Sequence, residues 1–408
     1  MVSDLSPSHL GGGGERVLWE QASGLAQRGH RVRILARAAG ADAPRTLERH
    51  GVRIRHVFVD RRSDLRFLRG SIVHARRAAA EELEKANVDV LHVHQPLSGY
   101  GVLRSPAARA VPALYTFLSP APLEFRSRRG MTRFHRAGPA GLLAAAVLWA
   151  IERACLRRAR RIHVLSDYSL GQLRRLYRIP ENRVAKIPGG ADVTRFCPAA
   201  DRAAVRTALS LPAEGPVLLT VRNLEARMGL DILIRAVAAL RRDVPDVLLL
   251  IGGAGSLRGA LESLIGSLGL EGHVRFLGFI PDGALPAYYQ AADAFVLPTR
   301  ELEGFGLVTV EALACGTPVL GTPVGATPEI LGPLDASLLF PEATAEAMAE
   351  SLRRFLVGSA RDAGAARCFR EACRRHALAH YTWDRSLDGL ETLLWDLASS
   401  GAPGATAT

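Results

Sequence analysis

Residues 299–321 read TRELEGFGLVTVEALACGTPVLG. The run ADAFVLPT ends at Thr299 and reads as a strand. An acidic loop with Glu301, Glu303, Gly304 and Gly306 follows. A short apolar helix is expected from about Leu307 to Gly316, carrying Glu311, and TPVLGT forms the next strand. Strand, loop, helix and strand in this order are the unit of a parallel α/β sheet. The free amides of such a helix start favour an anion such as phosphate. Folding gives weak reason for two carboxylates in the loop ahead of them. A site for a phosphate-bearing sugar nucleotide explains both.

Working outward, the same alternation fills the chain. In the first half, Glu15–Arg28 is a helix opened by the glycine run, HRVRILAR a strand and Ser71–Ala86 a helix. VDVLHVHQP and VPALYTFL are strands, Pro139–Arg158 a long helix, RIHVLSD a strand, Tyr168–Tyr177 a helix and VAKIPGG a strand. The stretch GGADVTRFCPAADR has no periodicity and reads as a linker. After it come the strands GPVLLTVRNL, DVLLLIGG and HVRFLGFI, with helices at Leu230–Arg242, Ser256–Gly269 and Ala284–Ala292. Helices at Thr344–Leu356, Ala363–His380 and Arg385–Ala398 close the chain. The expected division is 1–190, a linker over 191–203, a second unit over 204–380, a last helix over 381–398 and a disordered tail over 399–408. The fold class is α/β, two doubly wound sheets whose ligands sit at the carboxyl ends of the strands, so that two facing domains leave an interdomain cleft.

The 408 residues are 48% hydrophobic and 23% charged, the balance of a soluble globular protein with a large core. The formal charge of +12 is carried by arginine, since Lys85 and Lys186 are the only lysines. No basic stripe interleaved with aromatics is present, so nucleic-acid binding is not expected. The cysteines at 155, 197, 315, 368 and 373 form no CxxC pair, which argues against zinc and a disulfide framework and fits a reducing cytoplasm. No signal peptide opens the chain, and no run of about 18 apolar residues that could span a membrane is expected. Only about four residues precede the first loop for a strand, so that strand is short or the start lies upstream.

Two glycine-rich strand-to-helix turns stand out: Gly11–Gly14, and Gly252, Gly253 and Gly255. Each lets backbone approach a phosphate or is simply a tight turn. Neither makes a GxGxxG, so no dinucleotide fingerprint exists. Glu303 reads as part of a site at the helix start or as a complement to the helix dipole. Glu311 lies in a segment apolar on all sides, where a carboxylate needs a partner, and paired ribose hydroxyls would serve. Otherwise it is a solvated position. His92 and His94 alternate on a strand and share a face, as core histidines or as a site. A third ligand at metal spacing is lacking, so no metal is expected. Residues 124–161 hold ten arginines against Glu124 and Glu152, around the apolar GLLAAAVLWAI. This is a buried helix with solvated arginines, or a surface for anionic lipid or an anionic acceptor, which would place the protein peripherally at the inner face of the membrane.

Taken in order, GGGGERV with GHRV, LHVHQP, IPGGADVTRFCP, VRNLEARMGLD, LLLIGGAG, VRFLGFIPD, LPAYYQAADAFVLPT, ELEGFGLVTVEALACGTPVLG and TPVGATPEI resemble the glycosyltransferases of family 4 over nearly the full length. These are two-domain GT-B enzymes, built of two facing Rossmann-like domains, that transfer a sugar from a nucleotide diphosphate with retention. The resemblance implies that Glu303 contacts the donor sugar near the reacting carbon and that Glu311 holds the ribose. It gives Phe305, Gly306 and Leu307 backbone amides for the diphosphate and sugar. Gly12 and Gly13 approach the diphosphate from the N-terminal domain, Gly278, Phe279 and Ile280 border the base, and the final helices cross back to that domain.

Three departures from the family pattern follow. The family's diphosphate-clamping arginine and lysine fall at Asn223 and Met228, with Arg222 and Arg227 next door as replacements. Leu118 stands where many relatives carry a histidine beside the donor sugar, and leucine transfers no proton. His94 and Leu118 are the acceptor-side candidates. The first strand is truncated. The chain has no DxD motif, so the implied transfer of a hexose from a UDP- or GDP-linked donor needs no metal or other cofactor. A glycan or lipid-linked acceptor of the cell envelope is expected. The competing readings are a nucleotide-eliminating epimerase and a catalytically silent sugar-nucleotide binder, which Leu118, Asn223 and Met228 favour. A dehydrogenase lacks its fingerprint.

Overall fold

The computed structural model describes residues 1–7, 12–128 and 138–400, without the side chains at 128 and 359–361. The chain forms two compact units, residues 1–188 with the stretch from Trp383 onward, and residues 189–382.

The first unit contains the strands β1 (Val2–Ser3), β2 (Arg33–Arg37), β3 (Thr46–Arg49), β4 (Val52–Val57), β5 (Leu91–Val93), β6 (Ala113–Phe117), β7 (Arg161–Val164) and β8 (Val184–Lys186). They lie in the order β3-β4-β2-β1-β5-β6-β7-β8. All neighbours are parallel except the β3–β4 hairpin, in which Thr46 faces Arg55 and Arg49 faces Val52. That hairpin is absent from the sequence reading. Its turn uses His50 and Gly51 at positive φ, and β4 alternates only partly between buried and exposed residues. The helices are α1 (Gly13–Gln27), α2 (Asp64–Glu84), α3 (Pro96–Leu103), α4 (Ala121–Arg128), α5 (Pro139–Arg158) and α6 (Asp167–Tyr177). α2 starts before the expected Ser71 because the Ser63 hydroxyl accepts from the Arg66 amide and caps it. α3 and α4 are absent from the sequence reading; Pro96 sits in the first turn of α3, where its missing N–H costs nothing.

The second unit runs α7 (Arg202–Ala208), β9 (Val217–Val221), α8 (Leu230–Leu240), β10 (Leu248–Gly252), α9 (Arg258–Leu268), β11 (Val274–Gly278), α10 (Leu285–Ala291), β12 (Ala294–Leu297), α11 (Leu307–Ala314), β13 (Val319–Gly321), α12 (Thr327–Leu331), α13 (Ala345–Arg361) and α14 (Ala363–His380). Its sheet is wholly parallel, in the order β11-β10-β9-β12-β13. β10 and β12 are buried throughout, the near-continuous apolar run of a sheet covered on both faces. Asp293 anchors the start of β12: it accepts from Arg202, from Arg206 and from the Val217 amide.

The expected linker over 191–203 is corrected by the structure. The division falls at 188/189, and the segment belongs to the second unit. Phe196 is fully buried. Arg374 of α14 donates to the carbonyls of Val193, Phe196 and Ala314. A side chain nearly two hundred residues away supplies the order that local periodicity does not show. The last helix, α15 (Trp383–Ser399), rejoins the first unit. Its Leu387, Leu390, Leu393 and Leu397 share a core with Leu18, Trp19, Ala22 and Leu25 of α1. Arg28 and His30 pair with Glu391 at 2.9 and 2.6 Å. The expected tail begins inside this helix, and residues 401–408 lie outside the described residues.

Contrary to expectation, one described helix, α5, is long and apolar enough to cross a membrane by length and composition. Glu152 and Arg153 break the apolar run, but the average over the helix stays high. Glu152 shows how α5 is held. It is buried and accepts from the hydroxyls of Tyr115 (3.2 Å) and Tyr177 and from the Ala121 amide (3.0 Å). Burial pushes its carboxyl up to about 7, against the lowering effect of those hydrogen bonds.

The folded state therefore holds a proton that the unfolded chain releases between its ordinary pKa of 4.5 and about 7. Stability contributed by this group falls as pH rises through that window and stays lower above it. We expect the stability difference between wild type and Glu152→Gln to move by about 3 kcal/mol in favour of the variant across the window. Urea unfolding at the two ends of the window measures it. A difference independent of pH refutes the assignment.

Candidate donor and acceptor sites in the two units

In the second unit the parallel strands bring all their carboxyl ends to one edge. Arg222 follows β9, Gly253 follows β10, Phe279 follows β11, the 298–306 loop follows β12, and Thr322–Gly325 follow β13. This is where ligands of open α/β sheets bind. Glu303 is buried there. Its Oε2 accepts from the Arg222 guanidinium at 2.5 Å and from the Thr299 hydroxyl at 3.0 Å. Arg222 also donates to Thr299 Oγ1 at 2.9 Å and touches Met228 Sδ at 3.0 Å. The Thr322 hydroxyl holds the Thr299 carbonyl at 2.6 Å. Of the two expected clamp arginines, Arg222 thus places its charge against the carboxylate and over buried Met228.

Arg227 does something else. It donates to the Leu302 carbonyl at 3.3 Å and lies 3.5 Å from Glu225. Leu302 is in the left-handed region, φ 60°, which a branched side chain adopts at a cost of roughly 1–2 kcal/mol. Arg227 therefore braces the strained loop ahead of Glu303, the kind of place where strain collects at working sites. The loop is also braced from behind: the Ala326 amide donates to the Glu303 carbonyl at 2.9 Å. Gly325, at φ 64°, lies so close that an added Cβ would fall 2.1 Å from that carbonyl oxygen.

α11 begins after Gly306, which is also left-handed. Phe305 and Leu307 bury their side chains against Gly189, so only their backbone is available to a ligand. In the first turn of α11 the Thr309 amide bonds to the Gly306 carbonyl at 2.9 Å, and the amides ahead of it suit an anion. Glu311 is buried rather than solvated. The Tyr289 hydroxyl donates to its Oε2 at 3.1 Å, a protein partner the sequence did not reveal. At the end of β11, Gly278 takes φ 68°, Ile280 packs inward beside Gly252, and Phe279 stands 65% exposed. Gly253 and Gly255 prove to be packing glycines. An added Cβ on either would meet the backbone of Arg222 or Leu224 within 2.5 Å.

In the first unit, Gly12 caps α1 in an extended conformation, and the Cβ position of Gly13 faces open space. The Cβ position of Gly14 is 3.6 Å from Leu118 and 3.7 Å from the Gln95 amide. The start of α1, Gln95 and Leu118 are therefore gathered at the carboxyl edge of this sheet. Asp4, missed in sequence, accepts from the Leu97 and Ser98 amides at 3.0 and 2.8 Å and fixes the start of α3.

His94 is buried, its ring tilted against that of His92 with centroids 4.3 Å apart, and neither ring nitrogen has a hydrogen-bond partner among the described residues. Burial pushes its pKa down to about 3, so the ring is neutral. His92 joins Thr116 at 2.6 Å, Thr116 joins His163 at 3.0 Å, and His163 reaches the Ile187 carbonyl at 2.9 Å. The carbonyl only accepts, so His163 Nε2 donates, its Nδ1 accepts from Thr116, and His92 Nε2 donates to Thr116. The pair lies buried at the end of β5, so the acceptor-side candidate His94 is a core side chain. Among the described residues no group of three or more His, Cys, Asp or Glu could hold a metal, and the described cysteines are free.

Gly325→Ala is expected to displace the Glu303 loop while leaving the sheet folded. Misplacement of this order costs roughly a hundredfold in turnover. Steady-state kinetics with circular dichroism as a folding control measures it, and near-normal turnover rejects the bracing role.

Comparison with known proteins places this geometry. Residues 11–195 match the model described as Glycosyltransferase Family 4, and residues 201–371 the model described as Glycosyl transferases group 1. A D-inositol 3-phosphate glycosyltransferase of Actinosynnema mirum is 30% identical, over 93% of this chain and 91% of its own length. A GDP-mannose-dependent alpha-(1-6)-phosphatidylinositol monomannoside mannosyltransferase of Mycolicibacterium smegmatis is 40% identical over 157 residues, 37% of this chain and 41% of its own. The solved sucrose-phosphate synthase of Thermosynechococcus elongatus superposes with a TM-score of 0.82 at 24% identity, covering 98% of this chain and 99% of that one. The two Rossmann-like units are those of the GT-B fold, and the chain belongs to the family 4 glycosyltransferases.

Proposed function

We propose that this glycosyltransferase moves a hexose from a UDP- or GDP-linked donor to a glycan or lipid-linked acceptor with retention of configuration. The observation that carries the reading is the buried Arg222–Glu303 pair at the carboxyl edge, beside the start of α11. Glu303 faces the sugar. Arg222 is the cation for the diphosphate, and Arg227 keeps the loop in place. Glu311, held by Tyr289, meets the ribose, and exposed Phe279 borders the base.

In the reaction the bond from the anomeric carbon to the diphosphate oxygen breaks. A bond from that carbon to the acceptor oxygen forms on the same face, and the acceptor proton passes to the leaving phosphate. No protein base is needed, which suits leucine at 118. Arg222 and the α11 amides stabilise the charge that builds on the leaving group. A guanidinium grips a diphosphate bidentately, so the reading includes no metal. The names of the relatives support a nucleotide-sugar donor and an inositol-containing or lipid-linked acceptor.

Glu303→Ala is expected to lower kcat/KM about 10²–10³-fold with nucleotide binding retained. Turnover near wild type would sink the catalytic assignment. Arg222→Ala is expected to weaken donor affinity by roughly tenfold to a hundredfold in calorimetry, with Arg222→Lys as the variant that keeps Glu303 paired; unchanged affinity in both removes Arg222 from the clamp. A thermal-shift screen of UDP-, GDP- and ADP-sugars identifies the donor. Its slow hydrolysis separates transfer from silent binding, and the anomer of the product tests retention. Activity lost in a chelator and restored by a divalent ion would overturn the metal-free reading.

A further inference from the structure

α5 is amphipathic in an unusual sense: one face is core and the opposite face is apolar yet uncovered among the described residues. Ala145, Ile151, Glu152, Cys155 and Leu156 face inward. On the outer side Leu142 is 52% exposed, Leu143 67% and Trp149 36%, with Ala146, Ala150 and Ala154 exposed along the same stripe. Leu143, Ala146, Ala150, Ala154 and Arg157 follow steps of three and four residues, so they form one line down the helix. Large exposed apolar side chains clustered in this way mark an interaction surface.

The charges around the stripe choose the partner. Arg153 lies over the Trp149 ring at 5.2 Å, and Arg157 and Arg158 occupy the last turn. The Trp149 indole donates to the Leu176 carbonyl at 3.1 Å, which brings in the C-terminal end of α6. There Arg175 and Arg178 are exposed on either side of Leu176. The acids nearby are accounted for: Glu152 points into the core, and Glu181 is matched by Arg174 at 3.4 Å. An apolar stripe with a tryptophan and uncompensated arginines beside it complements a bilayer surface carrying anionic headgroups.

Although α5 is long and apolar enough to span a membrane, it does not do so in this fold. Its inner face is fastened to the unit through Glu152 and packs on α3 and α4. We infer that α5 lies in the plane of an anionic membrane surface, its outer stripe among the acyl-chain boundary and its arginines at the phosphates. The inference goes beyond the proposed reaction and stands apart from donor chemistry.

Vesicle co-sedimentation of the full chain tests it, with phosphatidylcholine vesicles prepared with and without phosphatidylglycerol. Binding is expected only to the anionic vesicles and is expected to weaken with salt. Leu142→Glu with Leu143→Glu, both exposed and so compatible with folding, is expected to reduce binding roughly tenfold or more. Arg153→Ala and Arg157→Ala are each expected to reduce it about fivefold. Donor hydrolysis in the absence of vesicles is expected to be unchanged in all three variants, which separates this result from any failure of the proposed reaction. Absence of binding, equal binding to both vesicle types, or binding indifferent to the leucine pair overturns the inference. So does protein that resists alkaline carbonate extraction, which would mean a spanning helix. Concentration-dependent dimerisation abolished by the leucine pair, without vesicle binding, would assign the face to a second copy.

Discussion

A buried carboxylate has to be paired, and Glu303 is paired with Arg222. Much of the carboxyl edge of the second unit is arranged around that necessity. Leaving either partner alone in a site this dry would cost several kcal/mol. Thr299 bonds to both, Thr322 holds Thr299, and the Ala326 amide holds the backbone of Glu303. Gly253 after β10 lets that turn press against the backbone of Arg222. Four strand ends thus meet on one ion pair. The pair rests on one guanidinium nitrogen, which meets Glu303 Oε2 and Thr299 Oγ1 together.

The first unit handles its buried polar groups differently. The chain from His92 through Thr116 and His163 to the Ile187 carbonyl ties β5, β6, β7 and the segment after β8 into one neutral network. Asp4 and Gln95 tie the end of β1 to the start of α3. These contacts hold the edge on which the start of α1 and Leu118 stand. They make a rigid floor rather than a proton-transfer device, since the histidines are kept neutral by burial.

Most of the elements were legible because their signals are local. Apolar strands of four or five residues followed by amphipathic helices leave little choice of fold class. What escaped detection also has local reasons. The β3–β4 hairpin is short and mostly exposed, with little apolar signal in β3. α3 is apolar throughout, so its period is invisible. The 191–203 segment is ordered by Arg374, from far along the chain. Glu303 and Glu311 were readable as out of place, one in a loop before a helix start and one inside an apolar run. Thr299 and Tyr289, which hold them, are ordinary residues by type, and no spacing marks them.

The sequence by itself determined the two α/β repeats, the helix start at Leu307 and the position of the two glutamates, because each depends on residues within a few positions of one another. Tertiary structure decided which arginine meets Glu303, that Arg227 serves the backbone of Leu302, that Tyr289 is the partner of Glu311, and that His94 lies beneath the surface. It also decided that Gly253 and Gly255 make room for a neighbouring strand end. Each of these turns on the meeting of segments separated by tens of residues, and side-chain reach and burial at such meetings are set by packing, which no local pattern encodes.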